Sequence, residues 1–182
     1  MRPRLAVLGS VTVAVLTACS PGPAAPGPAA ERTTPEAPAS PRESVTPPPE
    51  PDPVAEGPCP YLSADAVAEA NGQRVGTVRV SDGDPPSCFF HRPDGEEQLR
   101  VRVFVGRPEV AVALVDAAAP VATSNPATRP SGWEGGYETD ASGAVYAISK
   151  GETAVIVTTN QRQSVKARTV ATDVVGALEG SA

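Results

Sequence analysis

Apolar and polar residues alternate most regularly between Leu99 and Val105, where Leu99, Val101, Val103 and Val105 are separated by two arginines and a phenylalanine. A period of two predicts a strand with one buried face. Shorter apolar runs bounded by turn residues predict four more strands. These runs lie at 75–80, 88–92, 144–149 and 153–159, and turn residues occupy 81–87, 93–96 and 150–151.

Three segments have the apolar spacing of helices that bury one side. The first follows Ser63, a residue type that caps helices, and ends at Asn71-Gly72. The second begins at Pro108, because proline suits the first helical position, and ends at Pro120. The third runs from Gln163 to Leu178.

The predicted elements follow the order α-β-β-β-α-β-β-α, with a long loop over 121–142. Antiparallel strands and helices in this order predict an α+β two-layer domain. We expect an antiparallel sheet of about five strands with the helices packed on one face.

The beginning of the chain has the pattern of an export signal. Met1–Arg4 is basic, and the apolar run Leu5–Leu16 is shorter than the roughly 20 residues that span a bilayer. Leu16-Thr17-Ala18-Cys19 resembles the bacterial lipobox, which predicts a lipoprotein signal peptide over 1–18 and acylation of Cys19. Two or three acyl chains would hold the protein at the outer side of the cell membrane. The alternative is an ordinary signal peptide with a chance cysteine.

Proline is unusually frequent, with 22 residues, most of them before Cys59. Residues 19–57 have too few apolar side chains to offset the entropy of folding, so we predict a disordered, proline-rich tether there. Whether such a tether acts as a spacer is left open. The predicted extracytoplasmic domain covers 58–180.

Cys59 and Cys88 remain as a pair once Cys19 is acylated, and in an exported protein such a pair predicts one disulfide. A closed loop of about 30 residues predicts roughly 3–4 kcal/mol of stabilisation from chain entropy. A zinc pair is the alternative, but it needs further cysteine or histidine ligands, and the chain has one histidine.

Charge and motif content exclude several function classes. A net charge of −6 without a basic patch disfavours nucleic-acid binding. His91 is the one histidine and no G-x-S-x-G stretch occurs, so neither nucleophilic catalysis nor a catalytic residue is expected. Asp82 and Asp84 suit a turn better than a calcium site. We therefore expect no enzyme activity, no metal and no cofactor.

The segment Asn125–Asp140 contains the strongest binding candidates. Trp133 and Tyr137 lie among glycines in a domain poor in aromatic residues, and such side chains are favoured in binding hot spots. Arg129 and Glu134 accompany them as candidate contacts. The alternative for Trp133 is that its ring completes the core.

Several short stretches carry a family resemblance, and they are distributed over the whole predicted domain. They are CPYL (59–62), NGQRV (71–75), CFF and RPDG (88–95), SNPAT (124–128), GW (132–133), AVYA (144–147) and TTNQ (158–161). With them the domain resembles an uncharacterised family of actinobacterial lipoproteins, catalogued as domain of unknown function 2020. The architecture is also similar to mycobacterial cell-wall lipoproteins and to the outer sensor domains of receptor kinases.

The resemblance implies surface display and, by default, a binding role. We therefore predict a monomeric, lipid-anchored lipoprotein of the cell envelope whose domain binds an unknown partner protein or cell-wall ligand without catalysis. The alternatives are a small envelope hydrolase, or an inhibitor or regulator of an envelope enzyme.

Overall fold

The computed structural model describes residues 45–180 of the 182-residue chain. The predicted signal peptide, the acylated Cys19 and most of the predicted tether lie outside the described residues. The described residues form eight strands and three helices. These are β1 (Ala55–Glu56), α1 (Ala64–Asn71), β2 (Thr77–Val80), β3 (Cys88–His91), β4 (Glu97–Val105), α2 (Pro108–Ala118), β5 (Asn125–Ala127), β6 (Glu134–Thr139), β7 (Ala144–Lys150), β8 (Thr153–Thr159) and α3 (Ser164–Gly180).

All eight strands belong to one antiparallel sheet in the order β1-β2-β3-β4-β8-β7-β6-β5. The prediction of about five strands is wrong, because it lacks β1, β5 and β6. The five predicted strands correspond to β2, β3, β4, β7 and β8, and the three predicted helices are present. The strands missing from the prediction lie at the two edges of the sheet. β6 and β5 form one edge, and β1 forms the other.

The helices cover both faces of the sheet, so the prediction of helices on one face is also wrong. Val155 and Val157 of β8 pack in a cluster with residues of α1 and α3. Ala154 and Ile156 pack in a second cluster with residues of α2. Because neighbouring residues of a strand point to opposite faces, α2 lies across the sheet from α1 and α3. The domain thus has three layers rather than two.

Residues 45–54, here called the strap, are part of the folded domain although they fall in the predicted tether. The Arg102 guanidinium donates to the carbonyls of Pro48 (3.0 Å) and Pro49 (2.7 Å), and Arg100 pairs with Glu50. Arg102 alternates with the core residues Val101 and Val103, so the strap lies on the α2 face of β4. The folded part therefore begins before residue 58, the predicted domain start.

The ends of α1 show how local sequence sets the element bounds. Ser63 accepts a hydrogen bond from the Ala66 amide at 3.1 Å, which caps the first turn. Gly72 has a φ of 72°, a left-handed conformation that glycine adopts without strain, and it ends the helix.

Candidate functional site

Two of the four predicted binding residues come together on the α3 face of the sheet. Arg129, after β5, and Tyr137, on β6, line a concavity of about 220 Å³. We call it the tyrosine–arginine pocket, and its lining combines two arginines, two tyrosines and small side chains. The full lining is Pro126, Ala127, Thr128, Arg129, Tyr137, Tyr146, Ser164, Val165 and Arg168.

The two tyrosines form the wall of this pocket. Tyr137 and Tyr146 are directly opposite in the β6–β7 ladder, and their rings stack with centroids 6.1 Å apart. The Tyr146 hydroxyl donates to the Arg129 carbonyl at 2.8 Å, which ties the segment after β5 to β7. Burial raises the pKa of Tyr146.

The two arginines of the pocket are exposed and have no carboxylate partner among residues 45–180. Arg129 and Arg168 form no ion pair there, whereas Arg92, Arg107 and Lys150 each pair with an acidic side chain. Both guanidinium charges act on the Tyr146 phenol and oppose the effect of burial on its pKa. They are therefore close to the same wall of the pocket.

The other two predicted residues are not part of the pocket. Trp133 is 5% exposed and belongs to the core cluster beneath α3, which agrees with the core alternative that the sequence left open. Its indole N–H lacks a hydrogen bond of ordinary geometry in the described chain, although it helps Lys150 to lower the pKa of the Glu179 carboxyl. Glu134 is exposed at the start of β6, opposite Ser149.

A larger concavity of about 490 Å³ lies where β4, β6, β7 and β8 end or begin. We call it the polar groove, because hydroxyl, amide and carboxylate side chains dominate its lining. These side chains are Glu97, Gln98, Thr123, Asn125, Glu138, Thr139, Asp140, Ser142, Thr158, Thr159 and Asn160.

The three carboxylates of the polar groove are engaged with neighbouring side chains. Glu97 pairs with Arg100 at 3.0 Å, and Glu138 accepts a hydrogen bond from the Thr123 hydroxyl at 2.5 Å. Asp140 accepts hydrogen bonds within its own turn, and the bond from the Ser142 hydroxyl is the largest cause of its lowered pKa. A carboxyl that ionises so readily is a poor general acid.

Cys59 and Cys88 form the predicted disulfide, with Cα atoms 5.6 Å apart. Within residues 45–180, no group of three or more acidic, cysteine or histidine side chains could hold a metal ion. No helix in that range is long and apolar enough to cross a bilayer.

Sequence reasoning missed Tyr146 and Arg168 as members of the pocket. Both lie in elements that the sequence predicts correctly, a strand and the third helix. No local pattern signals that these elements meet the segment after β5, because that meeting depends on the β6–β7 register.

A family model described as Domain of unknown function (DUF2020) matches residues 43–179. A search of curated proteins finds no match. The family match spans the strap, the whole sheet and both concavities, and it exceeds half of the 182 residues. The chain therefore belongs to the family described as Domain of unknown function (DUF2020).

Proposed function

We propose that this protein is a lipid-anchored lipoprotein of an actinobacterial cell envelope, attached through Cys19, whose domain binds a partner protein or cell-wall ligand without catalysis. The observation that supports binding is the tyrosine–arginine pocket. It gathers Arg129 and Tyr137, predicted from sequence, with Tyr146 and Arg168 from distant parts of the chain. Aromatic and arginine side chains around a concavity are the residue types that dominate binding energy at interfaces.

The state of the carboxylates in the polar groove supports a binding role over hydrolysis at that groove. A hydrolytic pair of carboxylates needs one acid with a raised pKa and one free base. In the polar groove Glu97 and Glu138 are held by Arg100 and Thr123, and the pKa of Asp140 is lowered. His91 lies on β3 and does not line either concavity.

Site-specific photo-crosslinking in the intact cell tests the binding role. A photoreactive amino acid at position 165 would stand in the pocket, since Val165 lines it and is 49% exposed. The matched control is position 112 on α2, where Val112 is 50% exposed and lines neither concavity. We expect a discrete adduct from position 165 and none from position 112. Equal labelling, or no labelling at either position, would argue against a partner at this pocket.

The anchor is tested separately with Cys19→Ala in the full chain. We expect the variant to stay unprocessed or to leave the membrane fraction, because the acylated thiol is lost. A variant that is cleaved at the same site and enters detergent like the wild type would refute the anchor.

A further inference from the structure

We infer that the tyrosine–arginine pocket binds an oxyanion, the phosphate or carboxylate group of a larger ligand, through the side chains of Arg129, Arg168 and Tyr137. The inference rests on the proposed function, since it names the chemistry that the same pocket would recognise.

The charge of the pocket favours an anionic ligand. The pocket lining contains two arginines and no acidic residue. The protein as a whole carries a net charge of −6, and the three carboxylates of the polar groove include Glu138, which follows Tyr137 on β6 and therefore points to the other face of the sheet. A concavity with cations alone, in an acidic protein, selects for an anion.

The hydrogen-bond donors proposed for the anion are unused among the described residues. Arg129 and Arg168 form no ion pair, and the Tyr137 hydroxyl forms no hydrogen bond, within the described part of the chain. A guanidinium group presents paired N–H donors that match the two oxygens of a carboxylate or phosphate.

The same donors are also positioned together. Tyr137 stacks on Tyr146, and the backbone of Arg129 is held by the Tyr146 hydroxyl. Arg168 projects from the second turn of α3 and lines the same concavity as both tyrosines. Three elements thus present donors to one concavity.

The volume of the pocket limits the enclosed part of the ligand to one chemical group. The volume of about 220 Å³ is below the roughly 300–1,000 Å³ of pockets that enclose a whole small molecule. The pocket therefore suits an anionic end group, while the rest of the ligand stays outside.

The test is an NMR titration of the full chain in detergent with sodium phosphate and, separately, sodium acetate, at constant ionic strength set by sodium chloride. We expect saturable amide shifts confined to residues that line the pocket, which include Thr128, Arg129, Tyr137, Ser164, Val165 and Arg168. Tighter binding of phosphate than of acetate would identify the anionic group of the ligand as a phosphate. Tighter binding of acetate would identify it as a carboxylate. Shifts that do not saturate with either anion would overturn the inference.

Three variants assign the binding to the pocket. Arg129→Gln and Arg168→Gln should each weaken binding of the preferred anion at least tenfold. The matched control is Arg74→Gln, an exposed arginine without an ion pair in the described chain, which should leave the affinity unchanged. Equal affinities in all three variants would overturn the inference.

If position 165 crosslinks but no anion binds, the oxyanion inference fails and the binding role stands. If anions bind but nothing crosslinks, the partner role fails instead.

Discussion

At the residue scale, Trp133 and Tyr137 show how similar side chains acquire different environments. Both are aromatic, lie among glycines and are suited to a contact surface or to a core. Their environment is decided by β6, which begins directly after Trp133 and carries Tyr137 into the ladder opposite Tyr146. The sequence predicted neither β6 nor its register, so it could only leave the two alternatives open for Trp133.

The buried indole leads to a stability prediction. Trp133→Ala should lower the free energy of unfolding by about 3–5 kcal/mol, because it removes a large side chain from a packed core. Val165→Ala, at an exposed position, is the control and should stay within about 0.5 kcal/mol. Denaturant midpoints measure both, and acrylamide should quench Trp133 poorly. A small midpoint change together with strong quenching would show that the ring is exposed.

At the element scale, the strands that the sequence missed are those without an apolar pattern. β5 contains Pro126 and only three residues, and β6 contains Gly135 and Gly136. A Cβ at Gly136 would clash with Ser124 and Ala119, so the close approach of the segment after α2 excludes a side chain there. The close packing around β6 thus excludes the alternating side chains by which a strand is recognised in a sequence. By contrast, β4 is predicted well because its alternation is complete.

The turn between β6 and β7 leads to a pH prediction. Because the pKa of Asp140 is lower in the folded protein, its charge contributes stability above the unfolded pKa of about 3.9. That contribution is lost as the pH falls through the folded value. Asp140→Asn should therefore be less stable than the wild type at pH 7, and by a smaller margin near pH 2.

Denaturant melts at both pH values check the turn prediction. Glu152→Gln is the control, because that exposed side chain forms no hydrogen bond or ion pair in the described chain. It should not change the pH dependence of stability. If Asp140→Asn were as destabilised at pH 2 as at pH 7, the ionised carboxylate would not be the cause.

The strap leads to a prediction about the domain boundary. A chain that begins at residue 58 loses the backbone hydrogen bonds from Val54 to Val80 and from Gly57 to Val78, and the two bonds from Arg102 to the strap. At about 1 kcal/mol each, we expect it to be about 2–4 kcal/mol less stable than a chain that begins at residue 45. Denaturant midpoints of the two chains test this prediction, and equal midpoints would mean that neither the strap nor β1 contributes stability.

At the scale of the whole molecule, the error in layer count has a physical cause. An apolar stripe on a helix shows that one side is buried, but not which face of a sheet covers it. One strand indicates the second covered face, because four consecutive residues of β8 are all buried: Ala154, Val155, Ile156 and Val157. A continuous apolar run of this kind is typical of a strand covered on both faces. These residues belong to β8, and the central position of β8 between β4 and β7 is known only from the strand pairing.

The disulfide joins two distant parts of this three-layer domain, the segment before α1 and strand β3. Both cysteines pack in or against the core on the α1 and α3 side. The cross-link spans a sequence separation of 29 residues. A closed loop of about 30 residues restricts the unfolded chain enough to stabilise the fold by roughly 3–4 kcal/mol.

We therefore expect the double variant Cys59→Ala and Cys88→Ala to lose about 3–4 kcal/mol from the cross-link, with a further loss from the smaller side chain at the buried position 88. Unfolding the wild-type protein with and without a reductant separates the two effects. The reduced protein loses the cross-link, but its folded state keeps both sulfur atoms in the core. The reduced wild type should have a midpoint between those of the oxidised protein and the double variant. If the reduced and oxidised proteins had the same midpoint, the cross-link would not stabilise the domain. If free thiols were titrated in the unreduced, unfolded mature protein, the cross-link itself would be absent. In either case the stability of the domain would depend on the packing of the two helical layers on the sheet.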